Sequence, residues 1–472
     1  METAIKNESS ENIKAVNKMA VMPIPRLLAG MSIPLMFSLL IQSLYNIVDG
    51  IFVAKLSENA LTATSLVYPL QVVMITVSVG TAIGVNALLS RLLGEKKFND
   101  VTNIAVTGLI LTVASSLVFA VAGAFFPNQI ASVLSKDAEI NTLCSQYLHI
   151  CMMLCSGIFI EMMFQRFLQA TGKTFLSMIS LVVGAAANIV LDPIMIFGYF
   201  GFPAMGIRGA AIATVIGQWL GSAVACLLNT FLNSEVKLSL KNYKMTRSAV
   251  ARIYKIGAPT MITNGMPSVM VAVMNAILMP LSSSAIAFFG VYYKLQNFLL
   301  MPINGMGQAC LPIISYNYGT GNFDRIKKVF KCSIPVAAVI SLIATAIFIA
   351  VPQVLLGLFS AGEEMLSIGV PGLRIISTTF VFTSVTIILG YAVSGLGNSI
   401  VLMIGTLIRQ FALLLPVAYI LASAMGINYV WYAFIPAEII ALIFMIIASK
   451  RVAYLKMGGV SPQPPSPADS RM

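Results

Sequence analysis

The 472-residue chain is 58% hydrophobic and only 10% charged, with a mean hydropathy of +0.90 and a formal net charge of +12. A soluble chain carries about 25% charged residues, so a water-soluble enzyme or regulator is excluded. The apolar runs are long enough to cross ~30 Å of hydrocarbon, lack the alternation of a membrane β-barrel, and must satisfy their own backbone hydrogen bonds in lipid, which predicts an all-α integral membrane protein.

In chain order, charges, Pro/Gly clusters and polar turns delimit twelve predicted transmembrane helices, at 27–53, 62–90, 102–126, 140–166, 175–198, 206–232, 253–279, 284–316, 329–351, 368–392, 400–424 and 427–449. They leave an N-terminal tail (1–26), a linker (233–252) and a C-terminal tail (450–472) between and around two six-span units, 27–232 and 253–449. The N-terminal tail lacks the layout of a cleavable signal peptide. The Pro/Ser-rich ending "GGVSPQPPSPADSRM" is expected to be disordered. Of the 29 Lys and Arg, 23 fall in the two tails and the even-numbered loops and three (Lys55, Lys136, Arg208) in the odd ones. By the positive-inside rule both termini are expected to be cytoplasmic, and this distribution accounts for the basic balance without nucleic acid as a partner.

Sliding the chain against itself by 225 residues superposes Pro34 on Pro259, Met36 on Met261, Tyr68 on Tyr293, Gln71 on Gln296, Gly80 on Gly305, Gly94 on Gly319, Phe98 on Phe323, Pro127 on Pro352 and Gly172 on Gly397. The chain therefore reads as two six-helix lobes. Six is even, so the repeats run parallel through the membrane, as in transporters that hold substrate between their halves.

No HExxH, GxSxG or Walker A pattern occurs, which argues against an enzyme and against a pump driven directly by ATP. The six cysteines lie in or at the edge of spans and read as small apolar residues, and the lone His149 reads as a packing or interfacial residue. No cofactor is expected. The remaining chemistry is intramembrane charge, costly in hydrocarbon and functional by default. Four acids lie inside the predicted spans: Asp49, Glu161, Asp192 and Glu438. Tyr45 precedes Asp49 by four residues and Asn188 precedes Asp192 by four, so each pair shares one helical face. Such a set suits a shared proton, or a sodium ion held by Asp49, Asn188 and Asp192. An acid at a helix end paired with Lys55 is the plainer alternative for Asp49. At the same offset the second half carries Met270, Met274, Leu413 and Val417, so cation binding is expected in the N-lobe alone. Gln42, Glu161, Lys294 and Glu438 are secondary candidates for substrate contact, and Arg166 is placed to pair with Glu161.

The segments "SIPLMFSLLIQSLYNIVDGIFV" (32–53), "RLLGEKKFNDV" (91–101), "QRFLQATGK" (165–173), "NIVLDPIMIFG" (188–198) and "GIRGAAIATVIGQ" (206–218) resemble the multidrug and toxic compound extrusion (MATE) family. Residues 288–322 are similar to its MepA-like bacterial branch, and the likeness covers roughly residues 25 to 450. The resemblance implies a V of two lobes around a central cavity and a drug/cation antiporter using H⁺, Na⁺ or both. It implies an N-lobe cation site at Asp49, Tyr45, Asn188 and Asp192, and a bend at Pro34, where proline frees a carbonyl and permits a kink. The expected protein exports organic, chiefly cationic, compounds across a bacterial cytoplasmic (inner) membrane, with small organic molecules and lipids as partners and one chain as the working unit. A flippase for a lipid-linked precursor and a non-transporting receptor or sensor stay open.

Overall fold

A computed structural model describes residues 17–239, 241, 243–359 and 361–457, and every regular element among them is helical. Among the described residues ten helices are long and apolar enough to cross a membrane: α1 (Ile24–Leu56), α2 (Glu58–Gly94), α3 (Phe98–Phe125), α5 (Thr174–Phe197), α6 (Ile207–Leu232), α7 (Arg247–Leu278), α8 (Ser283–Gly319), α9 (Phe323–Ala350), α11 (Ser399–Met425) and α12 (Ile427–Met457). Two bent pairs, α4 (Ala138–Met153 with Ser156–Ala170) and α10 (Glu363–Ser377 with Phe380–Gly395), complete twelve spans. α2 and α8 run for 37 residues, roughly 55 Å at 1.5 Å per residue, so they project well beyond the apolar core by which they are recognised in the sequence. α12 continues to Met457, placing 450–457 in a helix, and the expectations for 1–16 and 458–472 lie outside the described residues.

The spans expected at 140–166 and 368–392 are broken, by 44° and 49°. At the second break Thr378 and Thr379 each donate a hydroxyl hydrogen bond, both 2.7 Å, to the carbonyls of Ile375 and Ile376. Side chains of this kind offer the backbone an alternative to the helical ladder.

The repeat is realised in detail. α2 and α8, α3 and α9, and α4 and α10 begin and end on residues 225 apart. Ser57 and Ser282, at that spacing, cap the N-termini of α2 and α8. Gly172 and Gly397 turn the chain with φ of +81° and +80°, a region that favours glycine. Pro34 and Pro259 lie inside α1 and α7, and the hydroxyls of Ser38 and Thr263 donate to their carbonyls at 2.9 and 2.8 Å. Pro34 has no N–H for the carbonyl of Gly30, which instead accepts a hydrogen bond of 3.5 Å from Thr174 of α5.

Burial divides into three cores. One is shared by both lobes and gathers the ends nearest the basic loops, including Met31, Leu89, Phe167, Ile256, Ile303 and Ile314. The other two are separate: Val67, Phe159 and Ile207 belong to the N-lobe alone, Phe289, Phe380 and Trp431 to the C-lobe alone. The lobes thus join at the basic end and part toward the other, forming the V. Repeat-related glycines permit the junction. A Cβ on Gly80 would run into Met261, and one on Gly305 would lie 2.9 Å from Cγ of Met36. Gly94 and Gly319 admit the carbonyls of Tyr316 and Arg91 where α2 crosses α8. Buried Arg166 of α4 also spans the junction, donating to Gln169 at 2.6 Å and to Gln308 of α8 at 2.9 Å, with Tyr391 of α10 close by.

Candidate functional site

α5 and α6 pack at a glycine crossing. The Cβ missing from Gly184 would sit 2.8 Å from the Gly217 carbonyl, and that missing from Gly217 would sit 2.7 Å from the Gly184 carbonyl. This close approach brings Asn188 against α6, where its Nδ2 donates to Thr214 Oγ1 at 3.4 Å and to Asp192 Oδ1, one turn on, at 3.2 Å. Asp192 is fully buried and Asn188 nearly so. Three enclosed oxygens have no hydrogen-bond partner: Asp192 Oδ2, Asn188 Oδ1 and Asp49 Oδ1 on facing α1. Asp49 lies within electrostatic reach of Asp192. Burying carboxylates whose acceptors have no partner is costly, a cost that a proton or a small cation can offset.

Gln42, Tyr45, Glu161 and Asn188 line one narrow cavity of about 40 Å³ between α1, α4, α5 and α6, together with Gln165, Thr214 and Gln218. Four candidates from the sequence thus share a space for a few waters. Thr214, Gln165 and Gln218 were not singled out, although Thr214 and Gln218 stand one helical turn apart within the segment 206–218. The pairing of Glu161 with Arg166 does not form. Five residues along a helix turn the two side chains to different faces, so Arg166 points to Gln169 and Gln308 while Glu161 accepts from Gln165 at 3.0 Å.

The second lobe is built differently. Between α7, α8, α10 and α11 lies a larger cavity, about 220 Å³, lined by Asn264, Tyr293, Asn304, Thr386, Arg409 and Gln410 among others. Glu438 is buried nearby and accepts from Arg409 Nη1 at 3.1 Å. Lys294 is exposed and lies outside both cavity linings. Arg409 and Gln410 sit in a π-helical stretch, Ile408–Leu414, of α11. No group of three or more His, Cys, Asp or Glu is placed to hold a metal among the described residues, and all six cysteines are free.

The MatE family profile matches the chain twice, over residues 34–194 and 259–420, once per lobe. The chain belongs to the MatE family of multidrug efflux transporters. It is a transporter and a multi-pass membrane protein. Among MatE relatives, Multidrug export protein MepA of Staphylococcus aureus (strain MSSA476) is 25% identical over 430 residues, 90% of this chain and 93% of that one. MepA of Staphylococcus haemolyticus (strain JCSC1435) is 26% identical over 410 residues, 86% and 89% of the two chains. A MATE crystal structure in complex with MaL6 superposes with a TM-score of 0.87 at 22% identity, covering 94% of this chain and 99% of that one, a likeness of fold.

Proposed function

We propose that this MatE chain is a secondary antiporter that exports organic compounds, cationic ones foremost, against an inward gradient of H⁺ or Na⁺. The observation that carries this reading is the set of unpartnered oxygens on Asp49, Asn188 and Asp192 in a buried, acid-bearing site. Cation uptake there neutralises the carboxylates and favours a different packing of α1, whose Pro34 already leaves the helix ladder incomplete. The concentration of Lys and Arg in the loops at the joined end of the V supports a cytoplasmic position for that end, and with it an outward-open V. The membrane is the bacterial cytoplasmic membrane, and one chain supplies both lobes for alternating access. A lipid-linked-precursor flippase needs a strongly cationic cavity; the C-lobe cavity is lined by one arginine, already bonded to Glu438.

The test is ethidium efflux from proteoliposomes under separately imposed proton and sodium gradients. Wild type is expected to respond to one of them. A protein that binds ethidium but moves none under either gradient is a receptor, and the antiport reading fails.

A further inference from the structure

Glu161 is 7% exposed on the membrane-embedded part of α4. Its carboxylate approaches α6 only because Gly221 lacks a side chain: a Cβ there would lie 2.5 Å from Oε1. α2 and α3 also pack on α4, but no charged or titratable residue of either lines the cavity beside Glu161 among the described residues; the groups that face it come from α1, α4, α5 and α6. α1 contributes Tyr45, with Asp49 one turn farther on. From α5 and α6 come neutral groups, Asn188, Thr214 and Gln218. On α4 itself, Gln165 donates the hydrogen bond, and the Arg166 guanidinium is bonded elsewhere. No Lys, Arg or His lies within 4.0 Å of the carboxylate among the described residues.

Polar groups continue from Glu161 in both directions. Toward the open end, the small cavity joins it to Asn188 and so to Asp192. Gln165 Nε2 lies 3.3 Å from Ser180 Oγ, which sets the level of Glu161, one turn up α4, about eight residues along α5 from Asp192. That is roughly 12 Å at 1.5 Å per residue, too far for direct transfer, and the cavity between them has room for a few waters. Toward the basic end, Gln165 meets Ser180, and Gln169 donates to Ser177 at 3.0 Å, all four buried between α4 and α5. Buried polar side chains at a membrane-embedded interface either bond the helices to each other or mark an ion pathway, and this row ends on an ionisable group with no basic partner among the described residues.

We propose that Glu161 is a second proton-binding site, standing between the Asp49/Asp192 pair and the basic end of the N-lobe. One proton adds to the carboxylate, giving the neutral acid, and leaves later to water on the basic side; no other bond changes. The assignment rests on the antiport reading and adds a second titrating position to it.

The test uses the full chain in lipid nanodiscs, with tetraphenylphosphonium as probe and protons released per probe bound as the readout, in weak buffer. Wild type is expected to release more than Glu161→Gln by about one proton per probe, and Glu161→Asp to restore the difference. Equal release from wild type and Glu161→Gln overturns the proposal, as does a wild type that releases none. If Glu161→Gln does not fold, carbodiimide labelling of wild type decides. An adduct on Glu161 that disappears at high pH and on probe binding supports the site; a Glu161 unlabelled at every pH rejects it. Flux of wild type under the two gradients separates the cases: with coupling intact, only the Glu161 assignment falls, and with coupling absent, the antiport reading falls as well.

Discussion

α5 and α11 are repeats of one another and have diverged into opposites. Both follow a glycine turn of nearly equal φ, yet α5 is an unbroken helix with Asn188 and Asp192 on the face packed against α6. α11 contains a π turn, which carries an extra residue: the two profile matches begin at 34 and 259 but end at 194 and 420. With that residue counted, Leu414 and Ala418 stand where Asn188 and Asp192 stand, and the π turn directs Arg409 to Glu438 and Gln410 to the larger cavity. Duplication preserved the frame of caps, turns and crossings, while carboxylates without a basic partner went into one lobe and an ion-paired carboxylate beside a wider hydrogen-bonding cavity into the other.

The contrast breaks most readily at its charged end. Asp192→Asn is expected to reduce gradient-driven ethidium efflux more than about tenfold, a loss of about 1.4 kcal/mol or more, while the purified protein keeps its helical circular dichroism; undiminished coupled efflux would make the lobes equivalent. At the paired charge of the other lobe, Arg409→Gln strands the buried Glu438 carboxylate and is expected to lower stability by about 2–3 kcal/mol. Thermal melts should show that loss while the response to the gradient survives, the reverse of the Asp192 variant. Gly94→Leu drives a side chain into the α2–α8 crossing, with an overpacking cost of about 1–3 kcal/mol. Cysteine pairs placed across the basic end should then cross-link more slowly than in the parent, and an unchanged rate would show that the crossing tolerates bulk.

The smallest effect lies in the turn after α2. Burial pushes the Glu95 carboxyl up, but bonds from Lys97 (2.8 Å) and Arg91 (2.7 Å) outweigh it and hold the group below the usual carboxylate range. A depressed pKa gives stability that is present above the unfolded value and lost as pH falls through the folded one. Glu95→Gln should therefore cost less than about 1 kcal/mol at neutral pH, since its partners Arg91 and Lys97 are 40% and 58% exposed, and nothing at a pH low enough to protonate Glu95 in both the folded and the unfolded chain. The equivalent residue in the C-lobe turn is Thr320, so Thr320→Ala should show no such pH dependence.

The spans were legible because hydrocarbon demands apolar runs, and the repeat because Gly and Pro sit where backbone geometry leaves few alternatives. The breaks in α4 and α10 were not, since the residues beside them (Leu154 and Cys155; Thr378 and Thr379) also occur in straight helices. The π turn was hidden for a related reason: one inserted residue among Ile, Phe, Ala and Leu leaves no mark on hydropathy. Asp49, Asn188 and Asp192 stood out as polar residues in apolar runs; Asn188 bonds Asp192, and Asp49 lies within electrostatic reach of it. The Glu161–Arg166 pairing fails on helical periodicity, which turns side chains five residues apart to different faces and is itself legible in the sequence. Thr214 was overlooked since a threonine in a membrane helix ordinarily bonds its own backbone, as it also does here, at 2.9 Å to Ala210.

Positions 166 and 391 correspond under the repeat, and Arg166 and Tyr391 lie together beside Gln308, close to the pseudo-two-fold axis. On a true two-fold axis a residue meets its own copy. A homodimer of the N-terminal half would set two guanidinium groups against each other in a medium too poor in water to screen them, and a homodimer of the C-terminal half would have no aspartate where Asp49 and Asp192 stand. The covalent fusion is therefore more than a tether: it is what allows the two sides of the axis to hold unlike residues, and neither half can stand in for its partner.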